Sequence, residues 1–445
     1  MKNDLIFKQK KILKIIKDYF LKDNSPYLRK SYFAFYANCI GSRYVKKKLL
    51  NSKGFNTKET VLELIDIFSK SNIKINSNIN KNFFFKNLII TWGDESCFSL
   101  NGIFNDKYFS INSSTSNSTF WIVLCENKIN NKKLKKNLAI FYFKKDFFNI
   151  YKFLKILILN FFYLFKSHAK KTDQDVVIGE TINNYIEKNK SLSNLENLIM
   201  PYEGQAFQKI IFNKQKKNNP NLNTYGFDHS APHSLATQFY YTEGSPDKLL
   251  VSGVNTKKCY SKFYNWPKNK VQLTFPARYK KFTKKDFSNK LFLPYDFDKA
   301  DNIISSVLFF LKNAKNKSIK KFDVRIHPTK KYNKKHVLLK NKIETMQKKY
   351  QIKFSKKADN DIVIVVGFTT TPIVALEFNL TVFHICPNPY LDIYFNFFWP
   401  NIRVKKINEF CYKYNLTKYG KYLNFKRKNK LLEIISNRQF KYQKN

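Results

Sequence analysis

The feature that most limits how this chain can fold is a rhythm that runs twice. Short apolar runs bounded by turn residues alternate with longer stretches of helical periodicity. In the first pass, from Asn87, residues 88–90, 120–124, 138–143, 176–178, 198–200 and 249–251 read as strands. After about Lys284 the rhythm restarts: strands at 291–294, 322–326, 362–366 and 381–385, with helices at 300–312, 336–350 and 371–378 between them. Strands that alternate with helices build a mostly parallel sheet covered on both faces. The expected fold class is therefore α/β, two Rossmann-like doubly wound domains facing a cleft, with a basic helical N-terminal extension. The expected boundaries are a Lys-rich helical segment over 1–80, a first Rossmann-like domain over 81–256, a linker over 257–285, a second Rossmann-like domain over 286–408, and a basic helical tail over 409–445.

Composition narrows the function classes. Hydrophobic residues make up 43% and aromatics 17% of 445 residues, enough for sizeable cores, so a disordered or collagen-like chain is excluded. The net charge of +49 points first to nucleic acid, yet only seven of the 81 cations are Arg. Arginine supplies the bidentate fork that reads guanine and grips phosphate. The lysine excess, with abundant Asn, Ile, Phe and Tyr, reads mainly as AT-rich coding, and no nucleic-acid partner is expected. A lysine-rich face still suits peripheral contact with an anionic membrane.

The most apolar window, 147–165, is interrupted by Lys155 and Asn160, whereas spanning a bilayer takes about 20 apolar residues. It reads as a core helix or a membrane-surface helix. The six cysteines show no metal-ligand spacing and suit a cytoplasmic enzyme. The first twenty residues read as an amphipathic helix rather than a cleaved signal.

Ligands of open α/β sheets bind at the carboxyl ends of strands, so chemistry is sought in those loops. In the second unit a buried strand runs into Gly367, then Phe368, Thr369, Thr370, Thr371 and Pro372 at a helix start. Hydroxyls and free N–H groups there make a phosphate site. Glu377, further along that helix, either reaches a ribose hydroxyl or faces solvent. The preceding strand ends in Arg325, Ile326, His327 and Pro328. His327 there would hydrogen-bond a phosphate or protonate a leaving oxygen. In the first unit a strand breaks at Tyr202, Glu203, Gly204 and Gln205, which puts Glu203 where an acceptor hydroxyl needs a general base. The next strand end carries Asp228, His229 and His233. Asp94, after Trp92 and Gly93, is a second base candidate or a turn residue. No metal and no cofactor are expected.

Acid-Gly, then His-Pro, then a hydroxyl pair before a helix resembles the motif order of GT-B glycosyltransferases that use CMP-activated sugars. Bacterial sialyl- and Kdo-type transferases and surface-carbohydrate biosynthesis proteins are the groups it is similar to. The resemblance spans about 87–387. It implies Glu203 as general base on the acceptor, His327 on the CMP phosphate, and Thr369 and Thr370 binding that phosphate. Two departures stand out: Tyr202 replaces the first acid of the family's pair, and the hydroxyl pair is Thr-Thr. The expected activity is metal-independent, inverting transfer of a sugar from a nucleotide donor to a glycan or lipid-linked acceptor, in the cytoplasm or at the inner face of the membrane. A nucleotide-sugar epimerase or hydrolase of similar fold, and a non-catalytic nucleic-acid-binding protein, are the competing readings.

Overall fold

The computed structural model describes residues 2–22, 73–80, 82–129, 134–143, 174–295, 297, 300–313, 322–327, 330–349 and 362–436. The first unit contains α1 (Lys2–Lys22), β1 (Ile73–Ser77), β2 (Asn87–Trp92), β3 (Thr119–Cys125), β4 (Leu138–Phe143), α2 (Gln174–Lys188), β5 (Asn197–Pro201), α3 (Ala206–Asn218), β6 (Asn223–Phe227), β7 (Lys248–Val251), α4 (Val254–Phe263) and β8 (Val271–Leu273). The strands form one eight-stranded sheet in the order β1-β4-β3-β2-β5-β6-β7-β8. All neighbours are parallel except β1, which runs antiparallel to β4. From β2 the chain winds outward through β3 and β4. It then returns to β5 beside β2 and winds the other way, which opens a crevice at the carboxyl ends of β2 and β5.

The second unit follows with β9 (Lys290–Phe292), α5 (Ala300–Asn313), β10 (Asp323–Arg325), α6 (Lys334–Lys349), β11 (Ile362–Val366), α7 (Thr371–Glu377), β12 (Thr381–Ile385), α8 (Pro389–Asp392), β13 (Ile402–Lys406), β14 (Cys411–Leu416) and α9 (Lys430–Ser436). Its sheet order is β10-β9-β11-β12-β14-β13, parallel through β12 and antiparallel beyond. Here the winding reverses between β9 and β11.

Both sheets bury two faces. Leu88 and Ile90 pack into one apolar cluster and Ile89 into another; Val363 and Val365 likewise part from Ile364 and Val366. This is why the strands read as unbroken apolar runs, each buried Val, Leu or Ile contributing about 1.5–3 kcal/mol. One cluster is shared by the two units, running from Leu88 and Tyr202 to Val365 and Trp399. The segment after β12 makes the junction. Trp399 Nε1 donates to the Ser234 carbonyl at 2.8 Å, Asn255 Nδ2 donates to the Pro400 carbonyl at 3.0 Å, and Phe263 packs on Phe398. The carboxyl ends of the two sheets thus face one another, the GT-B arrangement expected from the sequence.

Several expectations are corrected. Residues 176–178 belong to α2, because Ile178, Ile182 and Ile186 recur at helical spacing and are buried. The stretch 257–285 is not a bare linker: it completes α4 and supplies β8, the edge strand of the first sheet. The stretch 409–445 supplies β14, so the second sheet extends past 408, and α9 then caps the first sheet through Leu431 and Ile435. Within 1–80, β1 is a strand, while α1 packs on the junction through Gln9 Nε2, which donates to the Ile393 carbonyl at 2.9 Å. The apolar window 147–165 lies outside the described residues. Among those described, no helix is long and apolar enough to cross a membrane.

Candidate functional site

The site is assembled from loops at the two winding reversals. After β5, Tyr202 turns inward and is fully buried among Phe212, Phe239 and Trp266, with ring centroids 5.7–6.5 Å away. An acid at that position would be buried in the apolar core. Gly204 has φ of +69°, and a Cβ there would stand 2.1 Å from the Gln238 carbonyl oxygen, so only glycine makes this turn. Gln208, in the first turn of α3, accepts the N–H groups of Glu203 and Gln205 at 3.0 and 3.1 Å and donates to the Pro201 carbonyl.

That frame aims Glu203. Its Oε1 lies 3.1 Å from His229 Nε2, and its Oε2 accepts Gln205 Nε2 at 3.1 Å. His229 is buried, whereas 46% of the Glu203 side chain is exposed, so the carboxylate is held from behind and open in front. Burial alone would raise the Glu203 pKa; the hydrogen bond and charge of His229, with Arg278 and His233, outweigh it and bring it down to about 2. The same burial, helped by Arg278, lowers His229 against the pull of Glu203. Together these describe an ionised carboxylate accepting Nε2–H from the His229 imidazole.

After β6 the three residues part company. Asp228 is buried and accepts the Tyr260 hydroxyl at 2.9 Å, and burial pushes its carboxyl well above the usual range. It is a core acid whose burial favours the protonated form. His233 crosses the cleft, its ring stacked on Phe368 of the second unit at 4.4 Å and 2°. Burial brings its pKa down to about 4.

On the opposite wall, Gly367 has φ of +67° where the loop passes Pro294, at the second reversal. Thr369 and Thr371 pair through their hydroxyls at 3.0 Å. Tyr394 fixes this loop to the first unit, its hydroxyl 2.7 Å from the Thr369 carbonyl and 2.9 Å from that of Pro232. Tyr279 repeats the device, its hydroxyl accepting the Ala231 N–H at 3.2 Å and meeting the Thr370 side chain. His327 is half-buried, edge-on to Tyr295 at 5.3 Å. Burial, then Arg278 and Lys330, lower its pKa, so it is neutral at pH 7 and suits hydrogen bonding better than proton donation.

The remaining sequence candidates are placed elsewhere. Arg325 is tied to Asp323 at 2.6 Å on the exposed edge strand β10. Asp94 caps the short helical turn Glu95–Cys97 and pairs with Lys107 at 2.7 Å, the turn role rather than the base role. Glu377 neither reaches the cleft nor faces solvent. Its two oxygens accept the N–H groups of Gly420, Lys421, Tyr422 and Leu423. Pro328 lies outside the described residues. No group of three or more His, Cys, Asp or Glu among the described residues is placed to hold a metal.

Sequence reasoning missed Arg278, Tyr108, Tyr279, Gln208 and Tyr394. For Arg278 the signal was its rarity: a lysine-dominated chain that spends an arginine inside a supposed linker.

No protein-family profile and no curated protein matches this chain. Among solved structures it is similar to the N-terminal domain of trehalose-6-phosphate phosphatase from Candida albicans, with TM-score 0.33 and 11% identity over 69% of this chain and 83% of that one. A glycosyltransferase from Rickettsia africae ESF-5 gives TM-score 0.32 and 12% identity, covering 69% and 86%. OtsA in its apo form gives 0.29 and 9%, covering 61% and 71%. Likenesses this distant assign nothing; the fold rests on this chain's own strand order.

Proposed function

We propose that this chain is a metal-independent glycosyltransferase that moves a sugar from a nucleotide donor, a CMP-sugar by preference, to a surface-glycan or lipid-linked acceptor with inversion. The observation that carries this reading is the half-exposed Glu203 carboxylate, kept ionised by His229 at the winding reversal of one sheet and turned to the cleft with the other. Glu203 accepts the acceptor hydroxyl proton as that oxygen attacks the anomeric carbon, and the bond from that carbon to the phosphate oxygen breaks. The departing phosphate takes hydrogen bonds from the Thr369 and Thr370 hydroxyls and the neutral imidazole of His327. A carboxylate this acidic is a weak base in water. An acceptor seated over its exposed side removes that water and raises its basicity when it is needed.

The test is a thermal-shift screen of CMP, UDP, GDP and ADP followed by kinetics with the stabilising nucleotide's sugars. Ligand at about 100-fold excess over Kd stabilises by about 2.7 kcal/mol. Glu203→Gln and His327→Ala should each lower kcat by ~10²–10⁴. Unchanged turnover in both would sink the assignment, and sugar release without acceptor would turn it into a hydrolase.

A further inference from the structure

The helical turn Ala277–Tyr279 is pinned on both sides of Arg278. The buried Ala277 accepts Ser110 Oγ at its carbonyl at 2.8 Å, and the buried Tyr279 holds Ala231 and Thr370 as described. Between these anchors Arg278 stands exposed, its guanidinium carbon 5.6 Å from the centre of the Tyr108 ring. Tyr108 meets His229 edge-on at 4.5 Å, and His229 holds Glu203. Arg278 forms no ion pair among the described residues and is exposed to solvent. Its charge acts on Glu203, His229 and His327, so all three lie within electrostatic reach of the guanidinium.

We propose that Arg278 is the oxyanion grip of the first unit, receiving the anionic group of the donor, its phosphate or a carboxylate on its sugar, opposite the threonine loop. This rests on the glycosyl-transfer reading and adds to it a second wall of the anion site, one the threonine loop alone does not supply. A guanidinium offers two parallel donors to such a group, which lysine cannot.

The test is calorimetric binding of cytidine, CMP, uridine, UDP and N-acetylneuraminate to the full chain, to Arg278→Ala and to Arg278→Lys. The wild type should prefer nucleotide to nucleoside. Arg278→Ala should weaken nucleotide binding about 10–100-fold while leaving the nucleoside unchanged, with Lys restoring only part. The unchanged nucleoside arm separates a lost anion contact from a damaged fold. A loss confined to N-acetylneuraminate assigns the grip to a carboxylate instead of a phosphate. If the wild type binds nucleotide and Arg278→Ala binds every probe equally well, the inference is wrong and the glycosyl-transfer reading survives. If the wild type binds none of the probes, the inference falls, and the four-nucleotide screen decides the glycosyl-transfer reading separately.

Discussion

Two titratable side chains six residues apart along the same loop and helix show how position sets charge. Glu203 keeps its proton off because donors surround it, whereas Lys209 on α3 is fully buried with Nζ donating to Thr242 Oγ1 at 3.1 Å. Burial brings the Lys209 pKa from 10.5 down to about 7. The unfolded chain keeps its proton up to the higher value, so between pH 10.5 and 7 the folded state loses stability as the pH falls. Lys209→Met retains the stem and removes the charge. It should raise stability at pH 7 by ~2–4 kcal/mol, and by clearly less at pH 10, where the folded lysine is already neutral. Urea midpoints at the two pH values measure this, and an equal gain at both would show that the charge is not the cause.

At the scale of elements, Glu377, read from sequence as either reaching a ribose hydroxyl or facing solvent, holds the molecule's two units together. Glu377, at the end of α7, gathers four successive N–H groups of 420–423. That strap then lies on Gly253 of the first unit, where a Cβ would stand 2.3 Å from the Lys421 and Tyr422 carbonyl oxygens. Glu377→Ala should cost about 2–3 kcal/mol and remove hydrogen-exchange protection from the 420–424 amides; retained protection would refute the anchor. Period and burial made the regular elements legible: β11 and β12 were read to the residue because Ile362–Val366 and Thr381–Ile385 are apolar runs between turn residues. Residues 176–178 were misread because three apolar residues cannot distinguish the two periods. β8 and β13 were missed because short edge strands with lysines in or beside them look like linker. In the site, Glu203 and the threonine loop were legible as strand exits. The hydrogen-bond partners that exclude Asp228 and Glu377 from the cleft come from distant segments and leave no local pattern.

For the whole molecule, acid should act through buried imidazoles before it acts through carboxylates. His384 is fully buried under the threonine loop, Nε2 2.7 Å from the Gly367 carbonyl oxygen and Nδ1 3.1 Å from the Tyr414 hydroxyl. Burial brings its pKa from 6.5 to about 4, as it does for His233. A histidine whose folded pKa is depressed contributes stability above its unfolded value and loses it as the pH falls from 6.5 to about 4. The loss is about 1.4 kcal/mol per pH unit for each group. Glu203 shifts in the same direction, from 4.5 to about 2, so its contribution fades only in that lower window. The shared apolar cluster makes the two units unfold together, so one transition should report both histidines. Self-repulsion of a chain carrying +49 also grows with protonation, but salt screens it and does not screen a buried imidazole. The urea midpoint should therefore fall between pH 6.5 and 4 in 0.5 M salt (roughly a 4 Å screening length) nearly as steeply as in low salt, and His384→Gln should flatten it. A slope that salt abolishes and His384→Gln leaves untouched would assign acid sensitivity to net charge instead.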